Sequence, residues 1–278
     1  MKRFATFAAL VLLAASCGGR GQKEAENPAE GETETAAEAP KLSRADSLNA
    51  VKQSQDLPEE PYFDIVTDMG TIRIKLYKET PRHRDNFVKL ALTHFYDGLL
   101  FHRVIDGFMI QGGDPFTRDT SRVEEWGEGG PGYEIPAEFV PEYTHKKGAI
   151  AAARRGDMAN PMKESSGSQF YLVQNPDNCK HLDGAYTVFG ETVAGLNVID
   201  RIAHVPVDRY DHPAKPVVIL SVRPNDELNK RALEEGQQTI GDPSGAVPDA
   251  TVALKDTTAQ SGKVERTRSG RVITRVQK

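Results

Sequence analysis

The stretch from Phe101 to Asp114 leaves this chain the fewest choices. Phe101-His102-Arg103-Val104-Ile105 is apolar enough for a strand, Asp106-Gly107 is a turn signal, and a second short apolar run carries Gln111 before Gly112-Gly113 ends it. A hairpin connected through Asp106, Gly107 and Phe108 sets Arg103 opposite Gln111, with Phe108 and Met109 supplying apolar surface at the same place. A guanidinium beside an amide and a greasy patch makes a groove for something uncharged that offers carbonyls to a fixed cation. The competing reading is an ordinary hairpin with one surface arginine.

The flanking sequence supplies more strands. Phe63-Asp64-Ile65-Val66-Thr67 and Thr71 to Tyr77 flank Asp68-Met69-Gly70, and the second run alternates: Ile72, Ile74 and Leu76 on one face, Arg73 and Lys75 on the other. Thr80-Pro81 reads as an N-cap and first helical residue, followed by a helix with Phe87, Leu90 and Ala91 on one side. Gly148 to Ala153, Gln169 to Val173, Thr187 to Gly190 and Pro216 to Val222 read as further strands, and Val193 to Ala203 as a second helix. Many short strands, two helices and no regular βαβ alternation predict a mostly antiparallel barrel or sandwich. The block is long enough for one sizeable core.

The ends have a different composition. Met1 to Ser16 has a basic start (Lys2, Arg3) and a short apolar run, which predicts an export signal and not a stable membrane span. Leu13-Ala14-Ala15-Ser16-Cys17 resembles a bacterial lipoprotein signal, in which small residues precede a cysteine that becomes the lipidated N-terminus. On that reading Cys17 carries the anchor and Cys179, the other cysteine, is an unpaired thiol. The alternative is a plain secreted protein. Between Glu24 and Glu38 there are six glutamates and no basic residue, too polar a segment to offset its ordering entropy, so residues 18–60 are expected to be a flexible tether. Ala45 to Gln55 is expected to form a helical turn or two, and residues 224–278 a polar, largely disordered extension with a short helix at Asp226 to Gly236.

Several chemistries are excluded. The net charge of −5 gives no electrostatic case for nucleic acid. The seven histidines include no pair spaced like zinc ligands on one helix, and there is no Cys-x-x-Cys. Gly127-Glu128-Gly129-Gly130 lacks the Lys-Ser/Thr end of a phosphate loop, and Gly167-Ser168-Gln169 is not a nucleophile elbow. No cofactor is expected.

Phe101 to Asp114 matches, residue for residue, the pattern Phe-His-Arg-Val-Ile-x-Gly-Phe-Met-x-Gln-Gly-Gly-Asp, and so resembles the signature of the cyclophilin-type peptidyl-prolyl isomerases. Gly130 to Pro136, Gly167 to Tyr171, and Leu182-Asp183-Gly184 leading to Val188-Phe189-Gly190 support the resemblance, which covers about residues 61–223. It implies a closed eight-stranded antiparallel barrel with a helix over each end, and an active groove outside the barrel. Carried over, Arg103 is the catalytic arginine, Gln111 orients it and the substrate, and Phe108, Met109, Tyr171 and Leu182 wall the proline pocket. His102 lies beside the groove, Ala153 and Arg154 form the backbone edge that receives the peptide, and Tyr186 borders the site.

Three departures from the family pattern stand out. Position 171 is Tyr where many members have Phe, which adds a hydroxyl to the pocket. Arg154 stands where well-studied eukaryotic members have Asn. His181 and Tyr186 replace a tryptophan and a histidine, the former a residue that binds cyclosporin there. The resemblance implies an isomerase acting, as a monomer, on X–Pro bonds in proline-containing segments. The leader with Cys17 adds the expectation that these belong to exported proteins and that the chain is anchored to the periplasmic side of a cell-envelope membrane. The alternative is a proline-peptide binding module or chaperone whose turnover is incidental.

Overall fold

The computed structural model describes residues 44–241. The export signal, Cys17, most of the acidic segment and the tail after Gly241 lie outside the described residues. The described elements are α1 (Arg44–Gln55), β1 (Tyr62–Thr67), β2 (Gly70–Leu76), α2 (Pro81–Leu92), β3 (Phe101–Ile105), β4 (Met109–Gly112) and β5 (Glu134–Ile135). They continue with β6 (Ala149–Ala152), β7 (Ser165–Ser166), β8 (Phe170–Val173), β9 (Val188–Ala194), α3 (Leu196–Ala203), β10 (Ile219–Pro224) and α4 (Asp226–Gly241). Eight strands form one antiparallel sheet in the order β10-β1-β2-β9-β6-β8-β4-β3, and β5 pairs with β7 separately.

The expected closed barrel is corrected here: the sheet is an open, curled half-barrel capped by helices, with β10 and β3 as its edges. Those edges meet only at an isolated bridge, Leu100 with Val218, flanked by bonds from Phe101 N–H to Val217 C=O and from Ile219 N–H to Leu99 C=O. Beyond these bonds and one from Gly98 N–H to Ile219 C=O the contact does not grow into a ladder. Val104 N–H donates to Asp211 C=O in the segment before β10, and β10 itself pairs with β1.

The β1–β2 hairpin follows directly from its alternation. Ile65 sits opposite Ile72 and Phe63 opposite Ile74, all fully buried, while Asp64 and Arg73 meet on the outer face at 2.7 Å. Helix α2 starts at Pro81 as expected, yet Thr80 makes no side-chain cap. The Glu138 carboxylate accepts from the free N–H groups of Arg82 and His83 instead, at 3.1 and 3.0 Å. The second predicted helix is shorter than expected: Val193 and Ala194 stay in β9, and Gly195, at φ +91, turns the chain before Leu196. That left-handed conformation breaks the helix, and a Cβ at Gly195 would lie 2.4 Å from Thr71 C=O, so only glycine fits. Outside this unit, α1 is a full 12-residue helix packed on α2, and α4 runs from Asp226 to Gly241, both longer than the sequence led one to expect.

The core lies in the hollow of the curled sheet. Phe87 from α2 meets Phe63, Phe170 and Phe189 there, and Ile199 and Ile202 from α3 close it from the other side. Strands β6 and β8 are buried on both faces, so their outward side chains must pack against a second, separate apolar layer. Gly190 marks a tight strand crossing. A Cβ there would lie 2.4 Å from Lys75 C=O and 2.9 Å from Ile150 Cγ2. We expect Gly190→Ala to lower stability by about 1–3 kcal/mol, the cost of overpacking, in chemical denaturation followed by circular dichroism. An unchanged midpoint would contradict the packing described.

Candidate active site

Strand alternation builds the site on the outside of the sheet. Ile110, Phe170, Leu172, Ile150 and Ala152 point into the core, so their neighbours Met109, Gln111, Tyr171, Val173 and Ala151 point out. The register then lines up a row across four strands: Arg103 opposite Gln111, Gln111 opposite Tyr171, Tyr171 opposite Ala151. A second row beside it runs Ile105, Met109, Val173.

Arg103 reaches that row only because β3 is irregular. Pairing shifts between Phe101, opposite Gly112, and Arg103, opposite Gln111, so His102 is an extra residue. Phe101 and Val104 can therefore both enter the core while Arg103 faces outward. Its guanidinium stays about half exposed, with Nε 3.7 Å from the Asp211 carboxylate. A pair this exposed contributes little stability and serves to aim the side chain.

Beside the row lies the apolar slot. Met109, Tyr171 and Leu182 are buried, and Phe108 and Tyr186 are half-buried against the same layer. The Phe108 ring stacks on His181, with centroids 6.3 Å apart. Tyr186 meets the edge of Tyr171 and carries the Arg154 guanidinium over its face at 4.3 Å. Arg154 is thereby held down, with bonds to Ala185 C=O and Asp157, and its side chain is 3% exposed. Both backbone groups of Ala153 are already paired, its N–H with Gln169 C=O and its carbonyl with Ser166 N–H. Cys179 is buried behind Phe108, and burial pushes its thiol up to about 11.

Sequence reasoning missed the residues that hold this surface in place. Gln111 Nε2 donates to Gln169 Oε1 at 3.0 Å, and Gln169 Nε2 donates to the carbonyls of Gly127 and Gly129, each at 2.8 Å. Asp114 anchors that glycine loop from below, accepting from the N–H groups of Gly127, Gly129 and Phe116. Burial raises the Asp114 pKa, while those backbone donors act in the opposite sense. The only sequence signal for this support was a lone glutamine at the edge of an apolar strand and an aspartate next to two glycines.

His102 is placed differently from a groove residue. It is 2% exposed, its ring nitrogens reach no side-chain partner, and the Leu100 backbone is the one polar group acting in favour of its charged form. Burial, with His212 and Arg103 adding like charge, pushes its pKa down to about 4. Among the described residues no group of three or more His, Cys, Asp or Glu side chains is arranged to hold a metal.

The family model described as cyclophilin type peptidyl-prolyl cis-trans isomerase/CLD matches residues 62–224. The peptidyl-prolyl cis-trans isomerase of Helicobacter pylori is 40% identical over 156 residues, covering 54% of this chain and 85% of that protein. The peptidyl-prolyl cis-trans isomerase-like 2 of Rhizopus delemar is 34% identical over 63% of this chain, which spans 32% of that longer protein. The crystal structure of a Cryptosporidium parvum cyclophilin type peptidyl-prolyl cis-trans isomerase superposes with a TM-score of 0.53 at 26% identity, covering 60% of this chain and 98% of that one.

The buried histidine at position 102 makes a pH prediction. Its folded pKa lies below the ordinary value near 6.5, so its stabilising contribution is complete above that value and is lost as pH falls toward 4. Between pH 7 and 4.5 we expect the protein to lose about 2–3 kcal/mol of stability that His102→Asn retains. Equal losses in urea titrations of the two proteins would refute this.

Proposed function

This chain belongs to the cyclophilin-type peptidyl-prolyl cis-trans isomerases, and we propose that Arg103, Gln111 and Phe108 carry out its rotation of X–Pro bonds, in exported proteins. The single observation behind this assignment is the outward row of Arg103, Gln111 and Tyr171 running beside an apolar slot.

An X–Pro amide is held planar by resonance, with a barrier of roughly 18–20 kcal/mol, and turns in tens to hundreds of seconds unaided. Catalysis needs neither nucleophile nor metal, only a lower cost for the twisted amide. In the twisted state the proline nitrogen regains its lone pair. The permanently charged guanidinium of Arg103 donates to that nitrogen and holds the proline carbonyl, a task its planar fork suits better than an ammonium. Phe108, Met109 and Leu182 grip the ring and exclude water, so the donor acts at lower dielectric. Gln111, itself held by Gln169, fixes the direction of the peptide. A hydrogen bond to a charged group contributes about 1.5–3 kcal/mol, and each 1.36 kcal/mol is about tenfold in rate. Two such bonds present only in the twisted state give on the order of 10²–10⁴.

Location is read from sequence. The short apolar leader and the small residues before Cys17 support export and a lipid anchor, which would hold the isomerase at a cell-envelope membrane facing unfolded exported chains. Among the described residues no helix is long and apolar enough to cross a membrane.

Arg103→Ala is expected to keep the fold and to lose about 10²-fold or more in kcat/KM in a protease-coupled proline-peptide assay, while peptide affinity falls far less. Full turnover in the variant would overturn the assignment, and a parallel loss of affinity would favour a binding module. Labelling with a fatty-acid analogue is expected to mark the full-length protein and not Cys17→Ser. Equal labelling of both, or of neither, would remove the anchor.

A further inference from the structure

We propose that His145 is a positioning residue for the proline slot, tying Tyr171 and the Leu182 turn together through an Asp183–His145–Tyr171 chain. The proposal rests on the reading of the slot given above. His145 lies in the segment before β6 and is 2% exposed. Its Nδ1 is 2.6 Å from Asp183 Oδ1, which also accepts from the His145 backbone N–H at 2.8 Å. Its Nε2 is 2.8 Å from the Tyr171 hydroxyl, and the two rings are within 10° of parallel.

The chain has a direction. A carboxylate only accepts, so Nδ1 carries the proton, and neutral His145 presents the Nε2 lone pair to the Tyr171 O–H. Burial favours that neutral ring by lowering the His145 pKa against the opposing pull of Asp183. Lys146 and Glu191 pair with each other, and exposed His181 is the other titratable group acting on the ring. Asp183 follows Leu182 directly, on the short turn whose Leu182 N–H donates to Cys179 C=O. Two walls of the slot, one on β8 and one on that turn, are therefore held at a common spacing by a residue from a third segment. The atom that makes the tie on β8 is the hydroxyl that distinguishes Tyr171 from a phenylalanine.

A purely structural role would satisfy the same buried groups, so the test must read coupling. His145→Ala and Tyr171→Phe are each expected to lower kcat/KM by about 3–10-fold, the loss of one net hydrogen bond, mostly through a higher KM. The double variant should be no worse than the worse single one. His145→Gln is expected to recover most of the loss, because its side-chain carbonyl can accept from Tyr171 in place of Nε2. Additive losses, or a loss confined to thermal stability, would overturn the proposal. Should His145→Ala not fold, imidazole ¹⁵N resonances of the wild-type protein decide: a proline peptide is expected to shift the His145 Nε2 signal, and its failure to do so overturns the proposal. If the wild-type protein shows no turnover, the functional reading fails. If turnover is present and depends on Arg103 but the cycle is additive, only the role of His145 fails.

Discussion

Everything at the site follows from one constraint: the hollow of the sheet is full. Phe87, Phe170, Ile110 and Leu172 leave no room for a ligand inside, so a reacting group has to sit on the convex side. A strand offers that side only every second residue. Met109, Gln111, Tyr171 and Ala151 take those positions without exception, and the chemistry of the surface is therefore decided by the register of β4, β8 and β6. Arg103 is the one member that regular alternation would have misplaced, and the bulge at His102 corrects it. The correction buries the His102 imidazole beside Arg103 with no side-chain partner.

A half-exposed arginine is useful only against a stiff background. That stiffness comes from polar groups lying under and beside the row. Asp114 gathers three backbone N–H groups, the glycine loop it holds presents two carbonyls to Gln169, and Gln169 turns its remaining oxygen to Gln111. The glycines are required at the closest approach: a Cβ on Gly129 would lie 2.0 Å from Asp114 Oδ1. On the far side of the slot the Asp183–His145–Tyr171 chain plays the corresponding part, and Arg154 lies flat over Tyr186. Both supports are made of groups whose hydrogen-bonding capacity is used within the protein, which leaves the Arg103 guanidinium as the half-exposed donor of the row.

The sequence was readable where one local rule acted alone. The opposition of Arg103 and Gln111 follows from a turn signal and the length of a connection, and the β1–β2 hairpin from alternation. What could not be read depended on segments far apart in the chain. Glu138 caps a helix that Thr80 was expected to cap, and Gln169 reaches a loop some 40 residues away. The closed barrel failed for a similar reason. Val104 N–H, on β3, goes to Asp211 C=O and not to β10, a pairing that no periodicity reports. The α1 helix was underestimated because its polar surface hides the buried Ala50, on the helix that packs against α2.

On the proposed reading, the guanidinium on the convex face meets a prolyl amide whose ring occupies the slot between Phe108, Met109 and Leu182. The structure of the protein with a bound Ala-Pro-containing peptide tests this most directly. The account predicts the proline ring in that slot, with its carbonyl within hydrogen-bond distance of Arg103. A ring seated elsewhere, or a guanidinium beyond hydrogen-bond reach of the bound peptide, would overturn it.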